Sequence, residues 1–143
     1  MIREKITGLT KDAGYQVGVR KTIQGSHLDI WNFLLSDRGL SIWLGNVDPE
    51  KLILREEIDL NDGTRVKITR FKLQSHLRMQ WSKKSWHTPS RLQLRVIASG
   101  YHRTTVAFHQ EMLINGVQRE EMKRHWKKVV ANLEAAFAET GKA

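Results

Sequence analysis

From Tyr15 the chain alternates between apolar and polar residues. Tyr15, Val17, Val19 and Ile23 fall in one phase, and Gln16, Arg20, Thr22 and Gln24 in the other. A sustained period of two predicts a strand buried on one face. Gly25 interrupts it. Ser26-His27-Leu28-Asp29 then has the form of a capping box, with Ser26 as N-cap and Asp29 reaching back. Ile30, Trp31, Phe33 and Leu34 follow as a short apolar helix. Asp37 is placed to cap a second short helix that carries Leu40, Trp43 and Leu44 and is closed by Gly45. The period of two returns at Leu52, Leu54, Ile58 and Leu60. Asn61-Asp62-Gly63-Thr64 is a turn signal, after which Val66 and Ile68 continue the inward phase. Setting Leu60 opposite Val66 and Ile58 opposite Ile68 brings Asp59 opposite Lys67, a favourable cross-strand pair. Three more alternating runs follow: Leu77, Met79 and Trp81; Leu92, Leu94 and Val96; and Val106 with Phe108.

The last segment changes period. From Val117 onwards the apolar positions Met122, Trp126, Val129, Val130, Leu133, Ala136 and Phe137 are three or four apart, which gives one continuous helical face. Asn115 and Gly141 bracket this helix, and Glu120 and Arg124 make a favourable pair on its outer side. Residues 1–14 read as a lead-in with at most a helical turn, ahead of a single domain over 15–143. The order is strand, two short helices, about five strands joined by hairpins, and one long amphipathic helix. The packing this predicts is α+β: an antiparallel sheet with its apolar face against the long helix and its other face in water.

That order, with its local motifs, resembles the helix-grip fold of the SRPBCC superfamily, which includes the START and pollen-allergen proteins. Val19-Arg20-Lys21-Thr22-Ile23 followed by Ile30-Trp31-Asn32-Phe33-Leu34 is similar to the first strand and helix of the family. Leu40-Ser41-Ile42-Trp43-Leu44-Gly45 is similar to its second helix, and Thr104-Thr105-Val106-Ala107-Phe108-His109 to its last strand. Together they resemble the branch named for the activator of the heat-shock-protein-90 ATPase. The resemblance implies a curved antiparallel sheet wrapped around the C-terminal helix, with the space between them available to lipids, hormones or polyketides. It also implies a second possibility, a chaperone-associated interaction module. The co-chaperone of that branch carries a further N-terminal domain that contacts the chaperone, and no such domain is expected within 143 residues. Fold alone does not fix function.

Composition narrows the chemistry. There is no cysteine, which removes disulfides, thiol catalysis and cysteine-containing zinc sites. Met1 to Lys5 is followed by no apolar stretch, and no run approaches the length of a membrane span, so a cytoplasmic protein is expected. The formal net charge is +9. It is unevenly placed: residues 63–110 carry ten Lys or Arg and no acid, against eight basic and ten acidic residues in 1–62. Arg65, Lys67, Arg78, Arg91 and Arg95 alternate with inward apolar residues and are expected on the solvated sheet face. Polyanion binding through that face is one reading of the charge. Nucleic acid is not the expected partner, because no exposed aromatic residues interleave these arginines and no basic helix is free to enter a groove.

The tryptophans are the unusual feature. Trp31, Trp43, Trp81 and Trp126 are all expected to face one interior, either as packed core or as an aromatic-lined cavity. A buried indole N–H needs a partner, so such a cavity would hold water or a polar-tipped ligand. Trp86 lies in a basic loop and is expected at a cavity mouth. His125 edges the apolar face of the long helix, with Glu121 four residues earlier to orient it. The residues expected to line a ligand cavity are therefore Trp43, Trp81, Met122, His125 and Trp126, and the expected ligand is small and apolar or amphipathic. None of the six histidines forms a zinc signature, and no phosphate loop or nucleophile elbow is present, so neither metal nor cofactor is expected. One histidine without a second catalytic group argues for binding over catalysis.

Overall fold

The computed structural model describes Leu9–Thr10 and residues 14–143. The alternating runs form β1 (Leu9–Thr10), β2 (Gly14–Gln24), β3 (Glu57–Asp59), β4 (Arg65–Lys72), β5 (His76–Ser82), β6 (Ser90–Gly100) and β7 (Arg103–Leu113). All neighbours are antiparallel, in the order β1-β2-β7-β6-β5-β4-β3. Between β2 and β3 lie α1 (His27–Leu34), α2 (Asp37–Trp43) and a 3-10 turn (Pro49–Lys51), and the chain ends with α3 (Gly116–Ala138). This is the helix-grip arrangement that the element order implies: a curved sheet closed around one long helix. At 23 residues α3 is about 35 Å long, enough to cross the sheet.

The apolar phase of β2, β5, β6 and β7 points into the core that α3 closes. Val17, Val19 and Ile23 of β2, Leu77, Met79 and Trp81 of β5, Leu92, Leu94 and Val96 of β6, and Val106 and Phe108 of β7 are all buried. From α3, Met122, Trp126, Val129, Val130, Leu133, Ala136 and Phe137 close the same core, whereas Val117 is 76% exposed. Asn115 caps α3 by accepting from the Gln118 amide at 2.8 Å.

Four local expectations are corrected. Ser36, not Asp37, caps α2, because its hydroxyl accepts from the Gly39 amide. The alternation at Leu52 and Leu54 is not strand: Pro49 starts a 3-10 turn, and only Glu57–Asp59 pair. The β3–β4 register places Ile58 opposite Val66 and Asp59 opposite Arg65, with Leu60 in the loop. There the Gly63 amide donates to the Leu60 carbonyl and the Leu60 amide to the Thr64 carbonyl, so Arg65 rather than Lys67 meets Asp59. Glu120 pairs with Arg119, not with Arg124. Within the lead-in, Leu9–Thr10 pair with Gly14 and Tyr15 as strand; the rest of 1–13 lies outside the described residues.

The junction of α1 and α2 depends on one glycine. A Cβ on Gly39 would stand 1.9 Å from the Phe33 carbonyl oxygen and 2.9 Å from the Leu34 Cα. Only hydrogen fits there, and the close approach seats Leu40 and Trp43 in the core.

Candidate functional site

The short helices place Trp43, β7 places Phe108, α3 places Trp126 and β5 places Trp81. These rings form a continuous chain. Trp43 contacts Phe108 at 6.0 Å between ring centres, Phe108 stacks on Trp126 at 4.5 Å and 11°, and Trp126 meets Trp81 at 6.2 Å. Trp81 meets Trp86 edge-on at 5.3 Å. His125 packs against both Trp126, at 4.6 Å, and Trp81, at 6.3 Å. Four of the five residues expected to line a cavity, Trp43, Trp81, His125 and Trp126, thus join one aromatic network, while Met122 is fully buried in the same core. Trp31 does not join the network. It packs instead on Phe71, at 5.9 Å.

The rings of this network pack against one another. Five grooves on the domain's surface draw on none of Trp43, Trp81, Met122, His125 and Trp126. Trp86, on the loop between β5 and β6, is half-buried.

The polar atoms among the rings are unequally satisfied. Trp43 Nε1 donates to the Leu34 carbonyl at 2.8 Å, using a free acceptor at the end of α1. Trp126 Nε1 donates to Gln110 Oε1 at 2.8 Å; Gln110 Nε2 donates to Ser90 Oγ at 2.8 Å; and Ser90 Oγ donates to the Trp81 carbonyl at 2.6 Å. This relay ties α3 to β7, β6 and β5 through the core. Trp81 Nε1 is the exception: it is buried, in a residue 3% exposed, and has no hydrogen-bond partner. A buried indole N–H without an acceptor is uncommon and needs an explanation.

His125 sits beside this donor. Burial pushes its pKa down, the nearby Lys83 adds to the shift, and Glu121 and Asp62 oppose it. Glu121 does not serve as a hydrogen-bonded orienter of the ring; it takes the Lys83 ammonium in a salt bridge at the edge of the site. Among the described residues no three metal-ligating side chains come together. No helix among them is long and apolar enough to cross a membrane.

Gln110 and Ser90 were not among the expected site residues. Their signal was strand parity: Gln110 is in phase with Val106 and Phe108, and Ser90 with Leu92, so both side chains point inward. On the opposite sheet face stand Arg65, Lys67, Arg78, Arg91 and Arg95, with Arg65 paired to Asp59 and Arg91 to Glu111.

No family model matches the chain, and no curated protein does. Solved structures do. DynU16, a protein in the dynemicin biosynthetic locus, matches with a TM-score of 0.72 at 20% identity, over 89% of this chain and 48% of its own, so the chain spans about half of DynU16. An HSP90 activator from Plasmodium falciparum matches with a TM-score of 0.70 at 14% identity, over 86% and 96% of the two chains. A START superfamily protein from Mycobacterium smegmatis matches with a TM-score of 0.65 at 9% identity, over 87% and 98%. At these identities the likeness is one of fold.

Proposed function

On the helix-grip fold that the chain shares with these neighbours, we propose that it binds a small apolar or amphipathic molecule at the Trp81 end of the space between α3 and the sheet. The observation that supports this is the unpartnered Nε1–H of Trp81, a directional donor held in an aromatic wall. A ligand acceptor at Trp81 Nε1, with its apolar body in the place of Trp86, satisfies that donor and keeps the wall covered. The lowered pKa of His125 keeps its imidazole neutral at pH 7, so the site next to Trp81 carries no added charge from that ring. Trp126 and Phe108, locked by stacking and by Gln110, form the rigid floor.

A panel of fatty acids and phenolic aromatics, followed by intrinsic fluorescence and by the indole N–H resonances, tests this. The expected result is a saturable binder that moves the Trp81 Nε1–H signal, with binding lost in Trp81→Phe and kept in Trp31→Phe. Absence of any saturable binder, or one that leaves the Trp81 signal in place, overturns the reading.

A second reading, a chaperone-associated interaction module, has its own observation. Leu52, Leu54 and Phe71 line a shallow apolar groove of about 290 Å³, and Phe71 and Leu73 are 46% and 68% exposed. Exposed apolar surface of this kind favours a protein contact. Stimulation of a purified HSP90-type ATPase, abolished by Leu54→Ser with Phe71→Ser, is the expected result; no stimulation counts against it.

A further inference from the structure

The outer face of the sheet is divided by charge. At one end each cation has an acid opposite it: Arg65 faces Asp59, Lys67 faces Glu57, and Arg91 faces Glu111. At the other end stand Arg20, Arg70, Lys72, Arg78 and Arg95. Among the described residues none of these forms an ion pair. A bulge in β4 between Ile68 and Arg70 produces part of this cluster. Continued alternation would turn Arg70 inward; the extra residue keeps it outward, directly opposite Arg78. Two like charges across a strand pair oppose folding. Arg78 Nε is also buried without a partner, and its Nη2 donates to Gln93 Oε1. The same field reaches His76, whose pKa is lowered by burial first and then by Arg95, Lys72, Arg70 and Arg78.

Next to Arg78 the surface is hollow. Ala107 of β7 has Arg20 of β2 opposite it on one side and Arg95 of β6 on the other. With strands about 4.8 Å apart, the two arginine backbones stand about 10 Å apart across the small Ala107 side chain. Gly18 extends this floor, and the resulting groove holds about 470 Å³. Gln93 and His109 line it as well. Gln93 spends its carbonyl oxygen on Arg78, which leaves its amide N–H groups as donors. Ile97 supplies an apolar wall.

We propose that this groove is an oxyanion site that takes a phosphate monoester, with the anion between the Arg20 and Arg95 guanidiniums over Ala107 and the organic part against Ile97. Two guanidiniums match the double charge and the oxygen geometry of such a group. The groove holds one compact group, and the face lacks the interleaved aromatic residues of a single-strand binder.

Backbone amide NMR at fixed ionic strength, with inorganic phosphate and with phenyl phosphate as probes, tests the site. Saturable shifts are expected at Gly18, Gln93, Arg95 and Ala107. Tighter binding of phenyl phosphate assigns the ester; tighter binding of inorganic phosphate keeps the oxyanion site and removes its apolar wall. Arg20→Gln with Arg95→Gln should weaken binding at least about tenfold, as for lost hydrogen bonds to a charged group. Ala107→Leu, which fills the floor and leaves both charges, should weaken it similarly. Arg65→Gln with Arg91→Gln should leave it unchanged. Non-saturating shifts, shifts that persist in both groove variants, or an equal loss in the Arg65/Arg91 variant overturn the proposal.

Discussion

Replacing Gln110 by leucine isolates the polar relay in the core. Gln110 is 0% exposed, and leucine is of similar size, so packing is nearly conserved. Two hydrogen bonds of 2.8 Å are lost, but not equally. Ser90 keeps its donation to the Trp81 carbonyl and loses only a donor to its hydroxyl oxygen. Trp126 Nε1 keeps nothing and becomes an orphaned donor in a fully buried residue. Leaving such a group unsatisfied costs about 1–3 kcal/mol. We expect Gln110→Leu to lose about 2 kcal/mol, or roughly 6 °C in Tm for a domain of this size. The assay is urea unfolding followed by far-ultraviolet circular dichroism on wild type, Gln110→Leu, Trp126→Phe and the double variant. Because Trp126→Phe removes the donor, it should cost about 1–2 kcal/mol less in the Gln110→Leu background than alone. A Gln110→Leu protein as stable as wild type, or effects that add within about 0.5 kcal/mol, refutes the reasoning.

Two further predictions concern the same core. Gly39→Ala would gain up to about 1 kcal/mol from helix propensity, yet the Cβ meets the Phe33 backbone at 1.9 Å, so a net loss of at least about 2 kcal/mol is expected. Thermal melts check this, with Gly116→Ala, whose Cβ would meet only Tyr15 Cε1 in ordinary contact at 4.0 Å, as the control that does not lose stability. His125 has a folded pKa below its ordinary 6.5, so the unfolded chain binds more protons in that range. Its contribution to stability is complete above about pH 6.5 and is lost as the pH falls through the folded pKa. His125→Gln should flatten that slope in Tm against pH; His76, shifted in the same direction, leaves a residue of it.

Much of this fold was legible because burial has a period. Strand parity identified the inward residues of β2, β5, β6 and β7, and the three-four spacing identified the inward face of α3. Parity failed where the backbone departs from a regular strand. Leu52 and Leu54 alternate, but they lie between a 3-10 turn over Pro49–Lys51 and β3, with a further turn at Leu54–Arg55. The bulge after Ile68 adds Arg70 to the outer face, and no composition signal marks it. Within the site, residue types predicted which side chains meet but not how tightly. Whether Trp43, Trp81 and Trp126 leave a void depends on Phe108, which stacks on Trp126 from a strand remote in sequence. Helix spacing alone puts Glu121 beside His125; the competing cation, Lys83, arrives from the loop after β5.

The two ends of the sheet bear on how the protein behaves at high concentration. Among the described residues the terminal strands are β1, of two residues, and β3, of three, and β3 carries Glu57 and Asp59. An edge as short and as charged as β3 offers little for another copy to add a strand to. Where β2 extends past β1, Arg119 of α3 donates to the Gln16 carbonyl, and Lys21 pairs with Glu134. The long helix that closes the core therefore also guards the sheet margin. Loosening α3 would expose a template for intermolecular β-pairing, so variants that weaken its docking should aggregate before they unfold fully.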